Sequence, residues 1–183
     1  WESSGSVYGC SLVHEVTDYG KAKFEHEAGA ARQFRLETPD PRFDVGTLVV
    51  AEQPPLWRPE ERGTHLVTVK HTGGAVNLEA HETSRILTTL QRGLEVKLSG
   101  PLTHSLHDSV QVVVSPTRFK QAYEAFVGCE RQLLPVSYNQ IERTRVNYGA
   151  GGHVVPSRSK RVLDNIAVYL AADDSVTQVF VDG

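Results

Sequence analysis

Between residues 7 and 114 the apolar positions fall into short runs of four to eight residues, rich in β-branched and aromatic types and separated by Gly, Pro or Asp. Such runs predict strands, here over 7–14, 21–26, 32–37, 47–52, 65–70 and 109–114. Asp18-Tyr19-Gly20, Glu27-Ala28-Gly29 and Thr72-Gly73-Gly74 supply turn chemistry for hairpins, so the sheet is expected to be antiparallel. In 32–37 the alternation is imperfect and assigns no faces.

Two helical patterns interrupt or close this sheet. Over 79–92 the residues Ile86, Leu87 and Leu90 form an apolar stripe, and Gly93 is placed to stop the helix. A second helix is predicted from Ser115 as cap and Pro116 as first residue, with Phe119, Ala122, Tyr123, Phe126 and Val127 recurring on one buried face. After Pro135 the pattern changes to a strand over 138–148, a helix over 156–172 and a strand over 176–181. Val162, Leu163, Ile166, Tyr169 and Leu170 make the stripe of that helix, with Ser157 near its cap. One β-α-β unit cannot bury both faces of its sheet, so residues 136–183 are expected to open a second domain.

The expected fold class is therefore α+β. Residues 1–135 would form an antiparallel β-rich domain, as a curved sheet, sandwich or barrel, with two helices, and 136–183 an incomplete β-α-β unit. With 183 residues, 39% of them hydrophobic, the chain has enough apolar surface for one good core or one core and a fragment of another. A formal charge of −3 leaves no basic footprint for nucleic acid. Arg158, Lys160 and Arg161 read as the solvated face of a helix start. No run approaches the roughly 18 apolar residues that cross a bilayer. The chain opens at Trp1, holds no methionine and stops at Asp182-Gly183, where a domain should be turning into its next element. A processed or trimmed product is expected from this.

Catalytic chemistry finds no foothold. His81-Glu82 begins like a zinc-protease helix, but the fourth residue after His81 is Arg85. His104 and His107 near Asp108 read as loop histidines, and His14, His26, His65 and His71 as strand or strand-end residues. No nucleophile elbow or phosphate loop is present. Gly149 to Gly152 is separated from the next helix by His153-Val154-Val155-Pro156 and reads as a connector. The carboxylate pairs Glu60-Glu61 and Asp173-Asp174 lack an environment that would push their pKa values apart. No enzyme activity, metal or cofactor is expected.

Two features point elsewhere. Cys10 and Cys129 bracket the β-rich module with no cysteine between them, which suits one disulfide staple in an oxidising compartment better than a metal site. Two buried free thiols in a cytosolic domain are the competing reading. Pro54-Pro55-Leu56-Trp57-Arg58-Pro59 must be a stiff, largely extended surface loop, because prolines fix φ and withhold a donor. Its indole either packs back onto the sheet edge or is offered to a partner.

Four segments taken together, Cys10-Ser11-Leu12-Val13-His14, Asp18 through Phe24, Pro54 through Pro59, and Phe119-Tyr123-Phe126-Cys129, resemble the MotY family of flagellar motor proteins. The resemblance covers nearly the whole chain. It implies a periplasmic protein of the T ring of the flagellar basal body, in many copies, with a MotX-like partner, helping to hold stator units through a B subunit of PomB or MotB type. It also implies that Cys10 and Cys129 are paired, and that 136–183 begins an OmpA-like domain. In such domains peptidoglycan is gripped by a G-H-T-D-like loop and an N-x-x-L-S-x-x-R-A helix. Gly183 corresponds to the start of that loop, so no wall-binding residue is assigned here. Trp57 and Arg58 are the expected partner contacts. A general OmpA-like envelope protein that binds peptidoglycan without a motor role is the alternative.

Overall fold

Every second residue of β2 (Gly9–Val16), β3 (Gly20–Glu27) and β4 (Gln33–Glu37) that points inward is apolar or half-buried, and antiparallel pairing stacks these residues into rows. One row runs Leu12, Phe24, Phe34 and Leu78; the next runs His14, Ala22, Leu36 and Val76. The sheet is completed by β1 (Glu2–Gly5) beside β2 and β7 (Ala75–Leu78) beside β4, in the order β1-β2-β3-β4-β7. A second antiparallel sheet has the order β6-β5-β8-β9, from β5 (Thr47–Gln53), β6 (Thr64–Lys70), β8 (Glu95–Pro101) and β9 (Ser109–Val114). Its inner rows are Val67, Val50, Leu98 and Val112, then Glu52, Val96 and Val114. The computed structural model describes residues 1–39, 46–58, 62–70, 75–102, 108–147, 152 and 154–182.

The sheets share one core. Phe24, Phe34, Phe119 and Phe126 are its largest fully buried side chains, with Leu12, Leu36, Leu48, Ile86, Leu90 and Leu98 among them. The helix α1 (Ala80–Gln91) packs on β4, β6 and β8, and α2 (Phe119–Glu130) on β1 and β2. Gly93, at φ 76°, takes the left-handed turn that ends α1, as its sequence position predicts. Arg85, which removes the zinc-protease reading, has a structural use: its guanidinium donates to the Leu66 and His65 carbonyls along the edge of β6. The expected α+β class, rich in antiparallel sheet, is what the chain adopts.

Several boundaries differ. The strands β1, β7 and β8 have no counterpart in the sequence reading: the first two are only four residues long, and β8 follows α1 at once and ends on Gly100-Pro101. Helix α2 begins at Phe119 and not at Pro116, because Arg118 sits at φ 59° in the left-handed region, which a right-handed helix cannot include. Ser115 instead accepts from the Thr117 amide in a local turn, while its carbonyl accepts from the Trp1 indole at 2.7 Å. Thr72-Gly73-Gly74 lies outside the described residues.

The largest correction concerns the C-terminal quarter. In place of a strand over 138–148, the short helix α3 (Tyr138–Ile141) is held by a capping box in which Ser137 and Gln140 satisfy each other's backbone amides. Residues 142–147 follow without regular structure, and Tyr148 lies outside the described residues. The predicted helix is present as α4 (Ser157–Ala172), capped from Pro156, so Ser157 is its first residue and not its cap. Residues 176–181 form no strand, and they pair with none of the strands of the described residues. No helix among the described residues is long and apolar enough to cross a membrane.

Trp1 closes one end of the core. Its ring stacks on His14 at 4.6 Å and meets Phe119 edge-on at 5.0 Å. Burial first, then the Trp1 amino group, lowers the His14 pKa below its ordinary 6.5, with Glu15 opposing. The folded state therefore binds this proton more weakly than the unfolded chain does. The His14 contribution is complete above pH 6.5 and is lost as pH falls through the depressed folded value. The urea midpoint is expected to drop on acidification below pH 6.5, and His14→Asn to flatten that part of the profile; an equally steep profile in the variant would assign it to other groups.

Candidate partner-binding surface

The turn after β5 is built so that its apolar side chains face outward. Pro54 and Pro55 preset the backbone, and Pro55 is buried as the anchor. The Arg58 amide donates to the Pro55 carbonyl at 2.8 Å, closing a tight turn with Leu56 and Trp57 at its tip. Leu56 is 92% and Trp57 70% exposed, so the indole does not pack back onto the sheet. The base of the turn is tied to α1: Glu52 accepts from Thr89 at 3.3 Å and from the Arg92 guanidinium at 3.2 Å, and the Arg58 guanidinium lies 3.5 Å from the Arg92 carbonyl oxygen. Trp57 and Arg58, named from sequence, are thus neighbours on one exposed turn, and Leu56 joins them. Pro59, Glu60 and Glu61 lie outside the described residues.

A rigid turn that presents an indole, an isobutyl group and a guanidinium has the composition of an interface hot spot. Its backbone is already ordered by prolines, so little conformational entropy remains to be lost on binding. Nothing in this arrangement activates a nucleophile or polarises a substrate. Among the described residues no three His, Cys, Asp or Glu side chains gather closely enough to hold a metal ion, and His71, His104 and His107 lie outside them. Gly149, Gly151 and His153 lie outside them too.

The two cysteines stand well away in sequence from this turn and do a different job. Cys10 on β2 and Cys129 on α2 form a disulfide with Cα atoms 6.0 Å apart, and neither remains a free thiol. Any side chain at Gly5 would meet Cys129 Sγ at 2.5 Å, so β1 passes the bridge only as glycine. The residue after Cys129 is the acceptor of a part-buried cluster. Glu130 takes a bidentate pair from Arg32, at 2.5 and 2.6 Å, and a third bond from His26 Nδ1 at 2.8 Å. The hydrogen bond to Glu130 is also the main cause that raises the Arg32 pKa above its ordinary value. Sequence reasoning missed this trio, because Arg32 and His26 lie 98 and 104 residues from Glu130 and only the fold brings them together.

Residues 1–135 match the family model of the MotY N-terminal domain. Over 175 residues the chain is 27% identical to the sodium-type flagellar protein MotY of Vibrio parahaemolyticus serotype O3:K6 (strain RIMD 2210633), an alignment that takes in 94% of this chain and 60% of that protein. The chain thus spans about 60% of the length of this curated relative. The family match ends at Pro135, just beyond the helix whose Cys129 and Glu130 tie it to the first sheet, and it includes both sheets and the Trp57 turn. By that match the chain belongs to the MotY N-terminal domain family.

Proposed function

We propose that this protein is a structural component of the flagellar motor, acting in the periplasmic T ring of the basal body to assemble and hold stator units around the rotor. The observation that carries this reading is the proline-braced turn bearing exposed Leu56 and Trp57, on a chain of the MotY N-terminal domain family. A curated relative is named as a sodium-type flagellar protein. The job is mechanical. A stator that pushes on a rotor must be kept from turning with it, and a ring of many stiff copies can do this through modest interfaces acting together. A MotX-like ring protein, the basal body and a stator B subunit of PomB or MotB type are the proposed partners, with Trp57 and Arg58 at a contact.

Residues 136–183 are proposed to begin a second, OmpA-like domain, through whose remainder the protein would engage peptidoglycan. In support, Val162, Leu163 and Val168 of α4 and Val179, Phe180 and Val181 beyond it are exposed, as they would be where further chain packs over them.

Trp57→Ala tests the surface directly. As a substitution at an exposed position it should move the thermal midpoint by no more than about 2 °C. Partner affinity should fall about thirtyfold, the effect of a hot-spot aromatic worth about 2 kcal/mol. In cells the variant should leave filaments intact and reduce swimming and polar recruitment. A large fall in the midpoint would show a packing role instead, and normal motility with altered envelope integrity on deletion of the protein would favour a wall-binding role without the motor.

A further inference from the structure

The turn after β3 has four residues and is closed by the Ala30 amide donating to the Glu27 carbonyl at 3.0 Å, with Gly29 at φ 70° in its third position. It is braced from the body side. The Ala28 amide donates to the Tyr8 carbonyl at 2.9 Å, the His26 ring lies 3.1 Å from the Ala30 carbonyl oxygen, and Arg32 is held on Glu130 at the end of α2. Residues beyond Pro135 close on the same turn. Gln140 of α3 donates from Nε2 to the Gly29 carbonyl at 2.9 Å, while its Oε1 accepts from the Ser137 amide at 3.0 Å. A Cβ at Gly29 would lie 2.8 Å from the Val136 Cα and would also meet the Gln140 side chain. Beside this contact Ala28, Leu134 and Tyr169 are buried together, with Val7, Val136, Ile141 and Val176 packed around them.

We propose that this turn is a rigid joint: Ala28 and Gly29 form a seat that fixes the direction of residues 136–176 on the sheet body, with Gly29 and Gln140 as its positioning residues. A flexible linker would be polar and exposed, with few contacts crossing it. Here one side-chain amide both caps α3 and ties it to the body, and its place is open only because Gly29 carries no side chain. The seat is stiff, since the Glu130 cluster and the Cys10–Cys129 disulfide fasten the same end of the first sheet. Chain that packs over the exposed face of α4 adds to these contacts and removes none of them. A push on either part is therefore passed to the other and is not absorbed by a hinge. That consequence rests on the mechanical role proposed above, whereas the joint itself does not.

Distances between two spin labels test this, with labels at Gln111→Cys on the body and Asp164→Cys on α4, both exposed positions, in the full chain with its native disulfide oxidised. One narrow distance distribution is expected. Gln140→Glu keeps an acceptor for the Ser137 amide but loses the donor to Gly29, so it should leave α3 capped and widen the distribution at least about twofold. Gly29→Asn should widen it as well, because asparagine tolerates the left-handed conformation of the turn and so isolates the effect of the added side chain. Neither variant should move the urea midpoint of the sheet body. The proposal is overturned if the parent chain already gives a broad distribution, if neither variant widens it, or if both widen it only with a fall in that midpoint, which would make the contact part of the body's folding. The readout lies within one molecule, so these outcomes leave the motor reading to be judged by Trp57→Ala.

Discussion

Replacing Cys10 and Cys129 together by serine is expected to destabilise the protein by about 4 to 5 kcal/mol, the loop-closure entropy of a cross-link spanning more than a hundred residues. The sequence separation is 119 residues. The bridge therefore removes more freedom from the unfolded chain than a short-loop disulfide, which contributes about 3 kcal/mol. Set against the roughly 5 to 15 kcal/mol that holds a typical domain, its loss leaves the body close to its folding threshold. The native geometry adds to this. Cys10 is buried in the main core, and the sulfurs lie over β1 where only Gly5 fits. Urea unfolding of the oxidised protein and of the double-serine variant at one pH reads the difference directly, and a loss below about 1.5 kcal/mol would mean that the staple is dispensable.

Glu130→Ala carries the second large effect, about 2 to 3 kcal/mol. Removing the acceptor of a buried pair costs about 3 to 5 kcal/mol, and the value here is reduced because the Arg32 side chain keeps 34% exposure and recovers some hydration. Glu130 itself is 6% exposed and serves three donors at once. Glu130→Gln keeps the shape and one acceptor oxygen, so it should cost less. Because the charge cluster and the disulfide both fasten the end of α2 to β2, β3 and the turn after them, their effects should not add. Once the disulfide is gone, Glu130→Ala should cost measurably less than in the oxidised protein. A double-mutant cycle in urea decides it; strict additivity would show that the two ties act on separate parts of the fold.

Much of the body was legible because its information is local. Runs of alternating residues in β2, β3 and β5, the Asp18-Tyr19-Gly20 turn and Gly93 after α1 each encode their conformation within a few neighbours. The candidate surface was half legible: three prolines announce a stiff loop, yet whether Trp57 turns inward depends on what lies beneath the turn. At the base of the turn Glu52 accepts from Thr89 and Arg92, and the indole stays outside. The Glu130 cluster was not legible, since its members lie 98 and 104 residues from their partner.

The C-terminal quarter shows where local reading fails. Tyr138 to Ile141, expected as the start of a strand, is a short helix in which Ser137 and Gln140 close a capping box. Residues 176–181 have strand composition without a neighbouring strand among the described residues, and a ladder exists only as a pair. By itself the sequence determined the antiparallel β-rich class, the two helices of the body, the exposed proline-rich turn and the two cysteines worth watching. The tertiary structure alone decided the strand order, the shared core of two sheets, the acceptor role of Glu130 and the single buried tyrosine of α4. The reason is physical: turns and side-chain periodicity are settled by neighbours in the chain, but burial and pairing are settled by residues that meet only after the chain has folded.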